Sequence, residues 1–99
     1  MDVLQQRGIA AELFVALDLV ERGYYVFPKS LGAQGPIDLV AKDPEGGGII
    51  LLDVKSSRRT RARSAAQREL GVEIVIVDLD TRAIRYPPGV RESLRERLY

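Results

Sequence analysis

Apolar residues recur at three- and four-residue spacing between Val3 and Arg22, at Ile9, Leu13, Ala16, Leu17 and Val20, and Gly23 follows as a stop. That spacing predicts a helix. Tyr24-Tyr25-Val26-Phe27 predicts a short strand, and Pro28 to Pro36 a loop long enough to carry function. Two β-prone runs follow, from Ile37 to about Lys42 and from Ile49 to about Lys55. The turn-rich stretch Asp43-Pro44-Glu45-Gly46-Gly47-Gly48 between them makes the pair a β-hairpin signal. Thr60 to Leu70 predicts a second helix closed by Gly71, Val72 to Asp78 a strongly apolar strand, and Ala83 to Tyr86 another strand. After the breaker Pro87-Pro88-Gly89, Val90 to Leu98 reads as a short helix with Val90, Leu94 and Leu98 on one stripe. The helix between the strands at Ile49 and Val72 implies a parallel pair with a right-handed crossover. The expected fold is therefore α/β, a mixed β-sheet flanked by helices in the order αβββαβ, with residues 1–99 forming one domain.

Composition narrows the chemistry. No apolar run approaches the ~20 residues of a membrane span and nothing resembles a signal peptide, so an intracellular, cytoplasmic protein with no membrane partner is expected. The chain has no cysteine and no histidine. That excludes disulfides, thiolate metal sites, Ser-His and Cys-His catalysis and the usual zinc centres. Any metal must sit among oxygens, which favours Mg²⁺ or Mn²⁺. The net charge is only +1, but it is unevenly spread. Between Val54 and Arg68 there is no acidic residue, while Lys55, Arg58, Arg59, Arg61, Arg63 and Arg68 all fall there. Such a block is either a solvated helix face or a polyanion-binding surface.

The strands carry the candidate chemistry. Gly35-Pro36-Ile37-Asp38-Leu39-Val40-Ala41 and Ile49-Ile50-Leu51-Leu52-Asp53-Val54-Lys55 each hold charged residues in an apolar run. On a hairpin Asp38 and Asp53 can share one face, and Asp53 and Lys55, two apart, leave the strand on the same side. Two carboxylates and an ammonium in one place can make a divalent-metal hydrolysis site. Asp38 and Asp53 are the candidate ligands, the backbone carbonyl of Val54 adds an oxygen, and Lys55 can orient water or neutralise a phosphate. The same residues also fit a turn-ending aspartate and an edge-strand charge pair. Glu12, flanked by Gly8, Ala11 and Ala16, is a fourth candidate if that helix face is packed, since a buried carboxylate needs a metal, a base or water. An exposed helical glutamate has the same signature.

Taken in order, Gly8-x-x-x-Glu12, an aromatic-rich strand, Lys29-Ser30, Gly35-x-x-Asp38-Leu39-Val40-Ala41 and Asp53-Val54-Lys55 resemble the PD-(D/E)xK nuclease superfamily, and within it the archaeal-type Holliday-junction resolvases. The likeness covers roughly Arg7 to Ser56. It implies a restriction-endonuclease-like core, a single nuclease domain, and a catalytic set of Glu12, Asp38, Asp53 and Lys55, with Glu12 joining the metal ligands. By the same resemblance Lys29 and Ser30 stand where a basic residue and a serine assist, Lys29 as a DNA contact. Resolvases more often carry glutamate where this chain has Asp53. Gln67 falls where related nucleases place a polar residue near the site, and it also reads as an exposed helix glutamine.

These observations lead to the expectation of a Mg²⁺-dependent DNA endonuclease, a structure-selective junction resolvase whose DNA contacts include Arg58, Arg59, Arg61 and Arg63. Another repair or restriction-type nuclease of the superfamily, or a non-catalytic nucleic-acid-binding module, is the alternative. Two symmetric cuts in a four-way junction need two active sites, so a homodimer is expected. The stripe of Val90, Leu94 and Leu98 with Tyr99 either forms its interface or folds back on the sheet.

Overall fold

The computed structural model describes residues 1–29, 35–56 and 62–98. The chain runs α1 (Val3–Glu21), β1 (Tyr25–Pro28), β2 (Leu39–Lys42), β3 (Ile49–Lys55), α2 (Ala65–Leu70), β4 (Val72–Asp78), β5 (Ala83–Arg85) and α3 (Pro88–Arg91). This is an α/β fold with the expected αβββαβ order, extended by a short strand and one helical turn. The five strands form one mixed sheet in the order β1-β2-β3-β4-β5. β1 with β2, β2 with β3, and β4 with β5 are antiparallel, whereas β3 and β4, joined through α2, are parallel. No helix among the described residues is long and apolar enough to cross a membrane.

Alternation along the strands divides the sheet into two faces. Leu39 and Ala41 of β2, Leu52 and Val54 of β3, and Val75 and Val77 of β4 share one face and pack with Ala11, Val15 and Leu19 of α1 in the core. Asp53 and Lys55 have the opposite parity and lie on the face away from α1. α1 starts in a reciprocal capping box, with the Asp2 carboxylate accepting from the Gln5 N–H and the Gln5 side chain accepting from the Asp2 N–H. It ends at Gly23, whose φ of +89° places it in the left-handed region that glycine tolerates.

The stripe that gave α1 away in the sequence is not the buried one. Ile9, Leu13, Leu17 and Val20 are exposed, and the core face carries Ala11, Val15 and Leu19 together with Asp18. The helix is apolar on two sides, and the sheet takes the side of Ala11, Val15 and Leu19.

The C-terminal segment also departs from expectation. Helix α3 is a single turn from Pro88 to Arg91, with proline at its start, rather than a helix reaching Leu98. Beyond it the chain crosses the C-terminal end of α1 and supplies that end with partners. Leu98 N–H donates to the Glu21 carbonyl at 2.8 Å, Arg95 Nε donates to the Arg22 carbonyl at 3.0 Å, and Arg22 Nη1 returns a bond to the Arg95 carbonyl at 2.8 Å. Helix-end carbonyls lack intrahelical donors, so these bonds compete well with a marginal short helix. Arg97 reaches Asp18 at 2.6 Å, where the buried carboxylate also accepts from Arg22 Nε at 2.9 Å and the Tyr86 hydroxyl at 2.6 Å. Burial raises the Asp18 pKa, but these three donors outweigh it and hold the group below its ordinary value. Burial and the Asp18 carboxylate push the Tyr86 hydroxyl well up. Val90 and Leu94 fold back onto the core and only Leu98 of the expected stripe stays out. Tyr99 lies outside the described residues.

Other boundaries move as well: β1 runs from Tyr25 to Pro28 and β5 stops at Arg85. β2 begins at Leu39, not Ile37, and α2 begins at Ala65, because Ser64 caps it in extended conformation; Thr60 lies outside the described residues.

Candidate functional site

The ladder between β2 and β3 ends at the pair Leu39–Leu52, with one further bond from Asp38 N–H to the Leu52 carbonyl at 2.8 Å. Past that point the inner edge of β3 has no strand partner. The Asp38 side chain fills the gap, its Oδ2 accepting from the Val54 N–H at 2.7 Å. A carboxylate thus replaces a backbone carbonyl as the next acceptor, and this fixes Asp38 against β3. In an antiparallel strand a residue's N–H and C=O leave the same edge. The Val54 carbonyl therefore lies on the Asp38 side as well.

Four elements bring charge to this end of the sheet. The Lys29 N–H donates to the Asp38 carbonyl at 3.1 Å, which extends the β1–β2 pairing by one step. The Lys29 ammonium then reaches Asp38 Oδ1 at 2.8 Å and Glu12 Oε1, from α1, at 3.4 Å. Asp53 lies beside Asp38, and each carboxyl shifts the pKa of the other. Lys55 Nζ is 3.4 Å from Asp53 Oδ2. The structure therefore gathers Glu12, Asp38, Asp53, Val54, Lys55 and Lys29. Asp38 and Asp53 are buried, and Glu12 is half-buried, not an exposed helical glutamate.

Gln67 completes the cluster. Ser64 and Gln67 form a capping box at the start of α2, with the Gln67 N–H donating to Ser64 Oγ and the Ser64 N–H donating to Gln67 Oε1. That arrangement leaves the side-chain NH₂ to donate to Asp53 Oδ2 at 2.7 Å and to the Pro36 carbonyl at 3.2 Å. Gln67 is buried and satisfied, and the exposed-glutamine alternative does not hold. The missed signal was Ser64-x-x-Gln67, the S-x-x-Q pattern of a capping box, which fixes the glutamine on the first turn facing back toward β3.

The electrostatics divide the carboxylates. Burial raises Asp38, but the Lys29 ammonium, the neighbouring Asp53 carboxyl and the Val54 N–H outweigh it, and Asp38 is held below the ordinary carboxylate range. Asp53 goes up, through burial and through Asp38, against the opposing pull of Gln67 and Lys55. Glu12 also rises, through burial and then Asp38, with Lys29 opposing. The bond to Asp38 raises the Lys29 ammonium, so it keeps its proton.

Other sequence candidates stand elsewhere. Arg63 is turned to the start of β4, its Nη1 3.4 Å from the Val72 carbonyl and 3.6 Å from Glu73 Oε1, and does not join the cluster. Arg68 donates to the Arg63 carbonyl at 2.8 Å. Ser30, Arg58, Arg59 and Arg61 lie outside the described residues.

The donor set is all oxygen. Among the described residues, no group of three or more carboxylates is gathered tightly enough to be a ready-made metal cage. The Lys29 ammonium contacts both Glu12 and Asp38. Asp38, Asp53 and the Val54 carbonyl nonetheless fit Mg²⁺, which binds through one or two carboxylates and keeps several waters. No protein-family profile, curated protein or solved structure matches this chain.

Proposed function

We propose that this chain is a metal-dependent DNA endonuclease of the PD-(D/E)xK type, acting on branched DNA as a junction resolvase does. The observation that carries the reading is the meeting of Asp38 and Asp53 at the unpaired edge of β3, with Lys55 against Asp53 and Glu12 beside Asp38 through Lys29. Asp38, Asp53 and the Val54 carbonyl would hold Mg²⁺ or Mn²⁺, which would supply a Lewis acid and neutralise charge on the phosphoryl oxygens. Lys55 remains partly exposed and contributes a cation for the scissile phosphate. Gln67 fixes the rotamer of Asp53 and lowers its pKa, keeping that carboxylate available as a ligand. Glu12, with its raised pKa, is suited to accept a proton from water at the edge of the cluster. Lys29 holds Glu12 and Asp38 together against their repulsion. Intracellular action on DNA goes with this chemistry.

A homodimer accompanies the reading, on a different surface from the C-terminal stripe. The outer side of α1 presents Leu13 at 64% and Leu17 at 56% exposure, continued by Ile9 and Val20. A helix apolar on both sides calls for a second cover, and a second α1 in a two-fold arrangement provides one.

Cleavage of a labelled four-way junction, a linear duplex and a single strand, with Mg²⁺ and with EDTA, tests the function. Paired junction cuts that need Mg²⁺ and vanish in Asp53→Ala support it. Cuts confined to other substrates favour a repair or restriction-type enzyme. Binding without cleavage leaves a nucleic-acid-binding module.

A further inference from the structure

Strand β1 carries a second feature beside the cluster. Tyr25 and Phe27 are 61% and 58% exposed, and they stand two residues apart, so both rings leave the strand on the same side. Val26 between them packs on the core under α1, which directs the two rings to the opposite sheet face. Lys29 continues the alternation and ends on Asp38 at 2.8 Å. Across the ladder Phe27 faces Val40, two residues beyond Asp38, and Tyr25 faces Lys42. The aromatic pair is therefore a row on the sheet surface that leads to the carboxylates.

Among the described residues the row has no hydrogen-bonding or cationic partner. β1 lies at the sheet edge, where exposed apolar side chains are usually avoided unless something binds there. The face also carries cations further across, among the carboxylates of Asp53 and Asp78. Lys55 pairs with Ile76 and Ile76 with Arg85, so Lys55 and Arg85 share one row on this side, and Arg85 is exposed without an acidic partner among the described residues. Flat exposed rings, with cations nearby to meet phosphates, are the two parts of a single-strand binding surface.

We propose that Tyr25 and Phe27 form a stacking platform for unpaired nucleobases, which selects DNA carrying a single-stranded stretch next to the scissile bond. An intact duplex keeps its bases stacked on each other and offers a protein only their edges and its phosphates, so it cannot use these rings. A single-stranded arm or an opened junction centre can. This inference deepens the nuclease reading and rests on it for the substrate. The rings lie outside the carboxylate cluster and act as specificity determinants, not as catalytic residues.

The test is fluorescence anisotropy in EDTA with three labelled probes: a single-stranded 20-mer, the blunt duplex of the same sequence, and that duplex with a single-stranded arm. The wild type should bind the first and third more tightly than the blunt duplex. Phe27→Ala should weaken those two about tenfold, a stacking contribution of ordinary size, and leave the blunt duplex unchanged. Phe27→Trp should restore the difference, which a merely structural role would not do. Equal effects on all three probes, no effect on any, or no binding by the wild type would overturn the platform. So would light scattering in which Phe27→Ala splits a dimer while leaving single-strand affinity intact, since the face would then be a subunit contact. Cleavage with Mg²⁺ separates the two readings. Cutting that persists without any Phe27-dependent preference leaves the nuclease and removes the platform. Phe27-dependent binding without cutting leaves the platform and removes the nuclease.

Discussion

Replacing Lys29 by methionine removes one positive charge from between Glu12 and Asp38 while keeping most of the side chain's bulk. The lost interaction is chiefly the 2.8 Å bond to Asp38, whose side chain is only 10% exposed, against 32% for Lys29. A hydrogen bond to a charged group contributes about 1.5–3 kcal/mol, and partial exposure of the lysine argues for the middle of that range, about 2 kcal/mol. The 3.4 Å contact to Glu12 adds little, because both ends reach solvent. For a domain of this size each kcal/mol moves Tm by about 4–8 °C, so Lys29→Met should melt about 10 °C lower at pH 7 in EDTA. The pH dependence has a defined sign. Asp38 is held below its ordinary value in the wild type, in part by Lys29. The stabilisation this carries is complete above the unfolded aspartate value of about 3.9 and is lost as pH falls through the lower folded value. The gap between wild type and variant should therefore be full at pH 7 and close below about pH 4. Mg²⁺ should raise the variant's Tm more than the wild type's, since the ion replaces the missing ammonium instead of competing with it. At 100 times its Kd the ion returns about 2.7 kcal/mol. Differential scanning fluorimetry from pH 3 to 8, with EDTA or Mg²⁺, reads all of this. Equal melting at pH 7 in EDTA, or a gap that does not shrink in acid, would refute the assignment of Lys29 as the cation that holds the carboxylates together.

Three further outcomes are expected. Gln67→Leu removes the donor that lowers Asp53, so the acid limb of the cleavage rate should move to higher pH as well as the rate falling; a lower rate with an unmoved profile would make Gln67 a packing residue only. Asp18→Asn should destabilise the fold by about 3 kcal/mol in chemical denaturation at pH 7, because it leaves Arg22 and Arg97 without their anion, and the loss should fade below about pH 4 since Asp18 is held below its ordinary value. Leu13→Glu with Leu17→Glu should halve the mass seen by light scattering while circular dichroism still shows a folded chain, whereas an unchanged mass would show that α1 is not the subunit contact.

The fold was legible where local signals agreed with one another. The turn-rich stretch from Asp43 to Gly48 between two β-prone runs admits only a hairpin, and a helix-length segment before Val72 requires a parallel return. Where the sequence misled, two answers were locally equal and tertiary contacts chose between them. In α1 the large residues Ile9, Leu13, Leu17 and Val20 outweigh Ala11 and Val15 by hydrophobicity. The sheet is nonetheless covered by the face that carries Ala11, Val15 and Leu19. Asp18, a charge on the buried face, disguises that face further. Its partners Tyr86 and Arg97 are remote in sequence, and no periodicity reveals them. The same remoteness hid the end of α3. The segment after Arg91 has an acceptable helical stripe, yet its backbone and arginines find better partners at the end of α1.

In the site, Asp38, Asp53 and Lys55 were legible because strand parity alone fixes which side each one leaves. Lys29 was not legible in this way. From the sequence it is a loop cation free to meet a phosphate, but pairing carries β1 one residue further and turns its ammonium inward. Gln67 was hidden for a different reason. A glutamine on a helix is exposed in most proteins, and its own periodicity says nothing. What decides its place is Ser64, which starts α2 late and so puts Gln67 on the first turn rather than mid-helix. On the first turn its amide oxygen is consumed by the Ser64 N–H, and only the NH₂ is left to face β3. An NH₂ group is a donor only. It can therefore hold Asp53 when that group is ionised and cannot accept a proton from it, which is why it pulls the Asp53 pKa down while Asp38 pushes it up. The capping box and the charge state of the site thus depend on the same side chain.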